Sequence, residues 1–198
     1  GRTIAVSWAY SPSYAKPLSV PQGLIMLLTR FGAHVRLAHP AGYDLMAECR
    51  DAAAKNAAQH GGTFRTMESM DDACEGADVV HPKSWGPYDL MLERVAANRD
   101  RDTARMKDIE GRALARNKQH TDWICDERRM KLTKGGKALY MHCLPADIGA
   151  EVAESVMERH RFDVAREANK KVYVIMALLA VAKVADLPAR LAALETGG

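Results

Sequence analysis

No run of apolar residues in this chain is long enough to cross a bilayer. The longest, Val172 to Ala182, ends at Lys183, well short of the roughly 20 residues a spanning helix needs. Charge of one sign is not in excess either: 28 Lys and Arg face 25 Asp and Glu, a net charge of +3. Nucleic-acid phosphates are tracked by clustered excess positive charge, so no nucleic-acid partner is expected. Aromatics are sparse at 6%. The cysteines Cys49, Cys74, Cys125 and Cys143 show neither zinc nor dithiol spacing and read as reduced cytosolic thiols. His120 with Cys125, and His81 with His142, are pairs that complete no recognisable ligand set, so no metal is expected. No G-x-G-x-x-G follows a strand-like run and no Walker A sequence occurs, which weighs against NAD and ATP. With no cofactor, no membrane partner and no secretory leader expected, the reading is a cytoplasmic protein.

What is present is a core: 47% of the 198 residues are hydrophobic, enough for one globular domain. The chain opens directly on an apolar run, Ile4 to Ala9, which predicts a domain cut from something longer. Further short runs predict strands at Ala33–Ala38, Thr63–Thr66, Val79–His81 and Ala138–His142, with another near Val164. Helices are expected over Val20–Arg30, from Asp44 as N-cap to His60, and over Glu68–Glu75. Others are expected over about Tyr88–Lys118 and Asp122–Thr133, around Val152–Arg159, and finally over Val172–Ala185. Alternating strands and helices are the mark of an α/β doubly wound, mostly parallel, Rossmann-like sheet. Such sheets bind ligands beyond the carboxyl ends of their strands. That rule selects the loops Tyr10–Gln22, His39–Tyr43, Lys83–Asp89 and Cys143–Gly149, which should meet on one edge. The arginines between Glu93 and Lys118 interleave with acids, while Met106, Ile109 and Ala113 share a face; this reads as a solvated amphipathic helix.

Two segments could carry chemistry. His142-Cys143-Leu144-Pro145 ends the fifth strand, where a proline that stops the sheet suits a rigid ligand-facing turn. Cys143 could orient or accept a proton from a substrate amine, and the Leu144 carbonyl could take a hydrogen bond. A buried thiol beside a core histidine fits the same residues. Strand alternation would keep His142 and Cys143 from facing one ligand together. Lys83-Ser84-Trp85 places a point charge and a packing wall at the tip of the fourth strand; a solvated lysine beside a structural tryptophan fits it equally.

These motifs resemble a known family. His142-Cys143-Leu144-Pro145 is similar to the HCLP signature of the ornithine/aspartate carbamoyltransferase superfamily. Lys83-Ser84-Trp85 resembles the K-S-W segment of its knotted branch of acetylornithine and succinylornithine carbamoyltransferases. The proline-rich Tyr10–Pro21 loop, His39–Tyr43 and Gly76–Val80 fit that branch too. The stretches Lys83–Pro87 and Leu139–Ile148 are most similar to its less characterised members from purine-catabolic gene clusters. The resemblance covers essentially the whole chain and implies a trefoil-knotted amine-substrate domain over residues 1–198, with its C-terminal helix at 172–185. Transfer of a carbamoyl group from carbamoyl phosphate to an amino-acid-like acceptor is then implied, in a homotrimer with sites between subunits. His142, Cys143 and Leu144 would serve the reaction, while Lys83, Ser84, Trp85, Pro145 and Lys171 would bind substrate. No S-x-R-T-R occurs, so the carbamoyl-phosphate domain is expected to be a missing partner. Lys171 stands where relatives carry an arginine, keeping the charge without the bidentate fork. The segment after Ile148 is shorter than in the family. An isolated knotted module without activity and a nucleotide-binding Rossmann-like domain are the alternative readings.

Overall fold

The computed structural model describes residues 1–196; the final two residues of the expected 1–198 domain lie outside the described residues. Its centre is β1 (Thr3–Trp8), whose side chains are buried from Ile4 onward, as a strand covered on both faces must be. The chain then runs through α1 (Ser19–Arg30), β2 (His34–Ala38), α2 (Ala47–Gln59), β3 (Thr63–Met67) and α3 (Met70–Cys74) before reaching β4 (Val79–Lys83). Next come α4 (Tyr88–Arg99), α5 (Thr103–Asn117), α6 (Glu127–Leu132) and β5 (Leu139–Tyr140). Two helices close the fold, α7 (Glu154–Lys183) and α8 (Leu187–Thr196). The five strands lie in the order β3-β2-β1-β4-β5, and every pairing is parallel. Chain direction across the sheet therefore reverses between β1 and β4, and open sheets bind ligands beside such a switch point. The doubly wound parallel α/β reading holds.

The loops predicted to converge do converge, through hydrogen bonds with buried partners. Trp8 Nε1 donates to the Trp85 carbonyl at 2.9 Å, and Trp85 Nε1 donates to the Tyr43 carbonyl at 2.8 Å. Tyr43 Oη donates to Asn117 Oδ1, whose amide nitrogen in turn donates to the carbonyls of Ser11 and Ser13. Asn117 reaches this position because Ile109, Ala113 and Asn117 are the buried face of α5, spaced one helical turn apart. The arginines of that stretch lie outward, with Arg112 on Glu93 and Asp108 and Arg116 on Asp89.

Several local expectations are corrected. Val164 is not in a strand: it is buried within α7, in register with Val156. The separate helices expected at Val152–Arg159 and Val172–Ala185 are joined in one 30-residue helix, because neither glycine nor proline occurs between Ala150 and Leu187. A valine's strand preference yields there to uninterrupted helical spacing. The single stretch Tyr88–Lys118 is broken at Arg101, which has φ 56°, and Asp102 caps α5 by accepting the Arg105 N–H. Asp44 is no cap; Met46 precedes α2, and Asp44 accepts from Arg50 instead. The helix expected over Asp122–Thr133 begins only at Glu127, capped by Asp126.

Asn117→Ala removes the acceptor of the buried Tyr43 hydroxyl and two donors to loop carbonyls. It is expected to lower stability by about 2–4 kcal/mol, measured by urea denaturation. A loss below about 0.5 kcal/mol, the size of an ordinary surface change, would show that Asn117 does not hold the loops together.

Candidate active site

The fifth strand ends sooner than its sequence suggests. Met141 N–H still reaches the Val80 carbonyl, but His142 N–H donates instead to Glu167 Oε2 on α7, at 2.8 Å. Leu144 then adopts a left-handed backbone (φ 45°), and the Leu144–Pro145 peptide is cis. The His142 side chain is fully buried while Cys143 is partly exposed, so the two do not share a ligand-facing side. The turn borders an open cleft of about 870 Å³, walled by Val20, residues 142–146, and Glu167, Ala168 and Lys171 of α7. A left-handed non-glycine residue costs roughly 1–3 kcal/mol and persists where its surroundings over-determine it. Here Leu144 N–H is fixed on His142 Nδ1 at 3.0 Å. Nδ1 is therefore the acceptor, and the ring proton sits on Nε2, 3.3 Å from Glu151 Oε2.

Glu151 is the residue that sequence reasoning missed. Its side chain has no exposure, and its carboxylate collects groups from the loops after β1, β4 and β5. Lys83 Nζ lies at 3.0 Å and Ser84 N–H at 2.7 Å on Oε1. Oε2 takes Asp147 N–H at 2.9 Å and Lys16 Nζ at 3.1 Å. Lys16 also bonds Asp147 at 2.6 Å, and Ser11 Oγ donates to the same carboxylate. Burial alone would push the Glu151 carboxyl up, but the His142 contact, the Asp147 and Ser84 N–H groups and the Lys83 charge together hold it well below the usual carboxylate range. For Lys16, burial pulls downward and is outweighed by Asp147 and Glu151, so its pKa is raised. Nothing in the sequence marks Glu151: one acid between Gly149-Ala150 and Val152 looks like an ordinary helix-entry residue.

The predicted site residues fall into layers. Cys143, Leu144, His142, Pro145 and Lys171 border the cleft. Lys83 and Ser84 stand behind the turn and reach it only through Glu151. Trp85 is fully buried among Trp8 and Tyr43, with both its indole N–H and its carbonyl engaged in the core. His81 stacks on His142 with ring centroids 6.0 Å apart; burial, then His142 and Lys83, depress its pKa to about 3. Burial pushes the Cys143 thiol up, and it is no preformed thiolate. Among the described residues, no group of three or more His, Cys, Asp or Glu is placed to hold a metal ion. No single helix among them is long and apolar enough to cross a membrane. A second hollow of about 560 Å³ at the α4–α5 turn contains none of the predicted site residues.

The parallel α/β sheet, with its HCLP turn after β5, is a carbamoyltransferase-like fold. The profile of the Aspartate/ornithine carbamoyltransferase, Asp/Orn binding domain family matches residues 18–182, and the chain belongs to that family. It is 51% identical over 185 residues to a protein named as a carbamoyltransferase, YgeW of Escherichia coli strain K12, covering 90% of this chain and 47% of that protein. It is 31% identical over 183 residues to the N-acetylornithine carbamoyltransferase of Xanthomonas campestris, covering 91% and 48%. The chain thus spans about half the length of the curated relatives it matches. Among solved structures it resembles an N-acetyl-L-ornithine transcarbamylase variant complexed with carbamyl phosphate and N-succinyl-L-norvaline. That match has a TM-score of 0.74 and 28% identity, covering 91% of this chain and 49% of the other.

Acid should expose the Glu151 network. A depressed carboxyl pKa gives stability that is complete above its ordinary value of 4.5 and lost as pH falls toward the folded value. His81, held near 3 against an ordinary 6.5, makes stability decline as soon as pH drops below 6.5. Urea unfolding of the wild type should therefore weaken below about pH 6.5 and steepen below about pH 4.5. Glu151→Gln and Glu151→Ala both leave Lys83 buried without a counter-charge, so each should cost about 3–5 kcal/mol at pH 7 and each should reduce the steepening below about pH 4.5. Parallel wild-type and Glu151→Gln curves below pH 4.5 would mean that Glu151 is not the titrating group.

Proposed function

We propose that this chain is the acceptor-binding half of a carbamoyltransferase, which holds an amino-acid-like amine for attack on carbamoyl phosphate bound by a second domain. The observation that carries this reading is the HCLP turn itself. It is fixed by Glu151 and Glu167, it borders the cleft, and the Cys143 and Leu144 carbonyls accept no hydrogen bond among the described residues. Those carbonyls are free acceptors for the N–H groups of an amine and a carbamoyl group, and a fixed turn aligns them without reorganisation. Lys171, on the opposite wall, supplies a cation for the phosphate or for an anionic group of the acceptor. Lys83 and Ser84 act from behind, steadying the turn through Glu151 rather than meeting ligand directly, and Trp85 buttresses the loop that carries them. The reaction joins amine nitrogen to carbamoyl carbon through a tetrahedral intermediate and releases phosphate, with no cofactor. The trefoil-knotted threading of the resembling branch belongs to this reading, supported by Ser11 and Lys16 of the proline-rich loop closing on Asp147.

A second feature supports a missing partner domain. From Val172 to Leu179 α7 is exposed on every face although it is almost wholly apolar. A helix apolar all round belongs in an interior, and the half that the relatives carry beyond this chain is the occupant this reading assigns. Cytoplasmic location and a homotrimer with sites completed between subunits follow from the same reading.

Full-length protein given labelled carbamoyl phosphate and a panel of amino acids and their N-acyl derivatives should release phosphate and form one ureido product. Lys171→Met and Lys171→Ala should each lower kcat/KM by about 10²-fold or more, equivalent to about 2.7 kcal/mol or more of transition-state stabilisation. Absence of transfer to every amine, or variants indistinguishable from wild type, would contradict the proposal.

A further inference from the structure

We infer that Glu167 is the group that takes the proton from the acceptor amine, an inference that rests on the carbamoyl-transfer reading above. An amine reaches an enzyme at neutral pH as an ammonium ion, which has no lone pair, so a proton must leave before nitrogen can attack. Two carboxylates flank the HCLP turn, and their surroundings are opposite in kind. Glu151 has no exposure and is held by lysines and backbone N–H groups on both oxygens. Glu167 lies on the cleft wall with its side chain 21% exposed. Its Oε2 is oriented by the His142 N–H at 2.8 Å. Its Oε1 accepts no hydrogen bond among the described residues and has His81 Nε2 at 3.9 Å.

The charges that face Glu167 leave it unneutralised. From β4 it meets His81, which burial and His142 keep uncharged near pH 7. From the turn and β5 it meets His142, Cys143 and Tyr140. On α7 itself, Arg166 is paired with Asp163, and neither Lys170 nor Lys171 forms an ion pair with Glu167. Lys83, further back, is taken by Glu151. Burial consequently raises the Glu167 carboxyl above its ordinary range, with the His142 N–H and ring only partly opposing the rise. A pair of carboxyls pushed in opposite directions marks a division of labour: one stays ionised as a fixed charge, and the other exchanges protons.

The step balances as follows. An N–H bond of the ammonium breaks, its electron pair stays on nitrogen, and the proton passes to Glu167 Oε1. The lone pair then forms the bond to the carbamoyl carbon while the carbonyl π pair moves to oxygen. On collapse the carbon–oxygen bond to phosphate breaks, phosphate leaves with that pair, and a second nitrogen proton goes with it. Glu167 returns its proton to solvent through the open cleft.

The test uses the full-length enzyme and the amino-acid panel with labelled carbamoyl phosphate. Glu167→Gln retains an oxygen for the His142 N–H, so the turn keeps its anchor. The variant should lose about 10²-fold or more in kcat, with KM for carbamoyl phosphate changed by less than about twofold, and the acidic limb of the kcat profile should vanish. If Glu167→Gln unfolds, judged by near-UV circular dichroism, Glu167→Asp carries the test: its displaced carboxylate should keep the acidic limb while lowering kcat about tenfold or more. Wild-type kcat with an unchanged limb in the folded variants overturns the assignment and leaves carbamoyl transfer standing. A wild-type enzyme that transfers to no amine overturns both.

Discussion

A fully buried carboxylate remains ionised only when hydrogen bonds and opposite charge replace the water it has lost. Glu151 meets that condition with groups that the sequence scatters widely: Lys16 from the loop after β1, Lys83 and Ser84 from the end of β4, and His142 and Asp147 from the turn after β5. Each of these segments leaves a parallel strand at the same edge of the sheet, so satisfying one side chain brings the site together. The pair is costly to break on either side. Without Glu151, Lys83 is a buried cation; without Lys83, Glu151 loses its closest ammonium. The cleft thereby inherits a rigid floor, and its two free backbone carbonyls keep their place without a ligand to hold them.

Around this centre the fold adds a second tie. The hydrogen bonds linking Trp8, Trp85, Tyr43 and Asn117 join the loops after β1, β2 and β4 to helix α5. Helix α7 has two duties along its length. Its N-terminal half packs Val156 and Val164 into the core and presents Glu167 and Lys171 to the cleft. Its C-terminal half carries an uncovered apolar surface. One helix thus runs from the HCLP turn to that exposed apolar surface.

The sheet was largely legible because its strands are short apolar runs separated by proline and glycine, and the loops after those runs fall on one edge by topology alone. The HCLP and K-S-W segments stand out in the sequence by their family resemblance, but the burial of His142, Lys83, Ser84 and Trp85 does not. Lys83 looked like a free cation at a strand tip, and only burial against Glu151 shows that it is committed. Glu151, Lys16 and Glu167 were overlooked because a charged residue next to alanine or valine carries no mark of the tertiary partner that buries it. The merging of α7 went unread for a different reason: its valines suggested a strand, while the lack of any breaker favoured one helix.

The most direct measurement is a double-mutant cycle on Lys83→Met and Glu151→Leu, each variant unfolded in urea at pH 7. If the buried pair organises the site, each single change is strongly destabilising and the double variant recovers much of the loss, giving a coupling of about 2 kcal/mol or more. Additivity of the two changes within about 0.5 kcal/mol would mean that Lys83 and Glu151 are held in place by their neighbours, and that the carboxylate is not the centre on which the site is built.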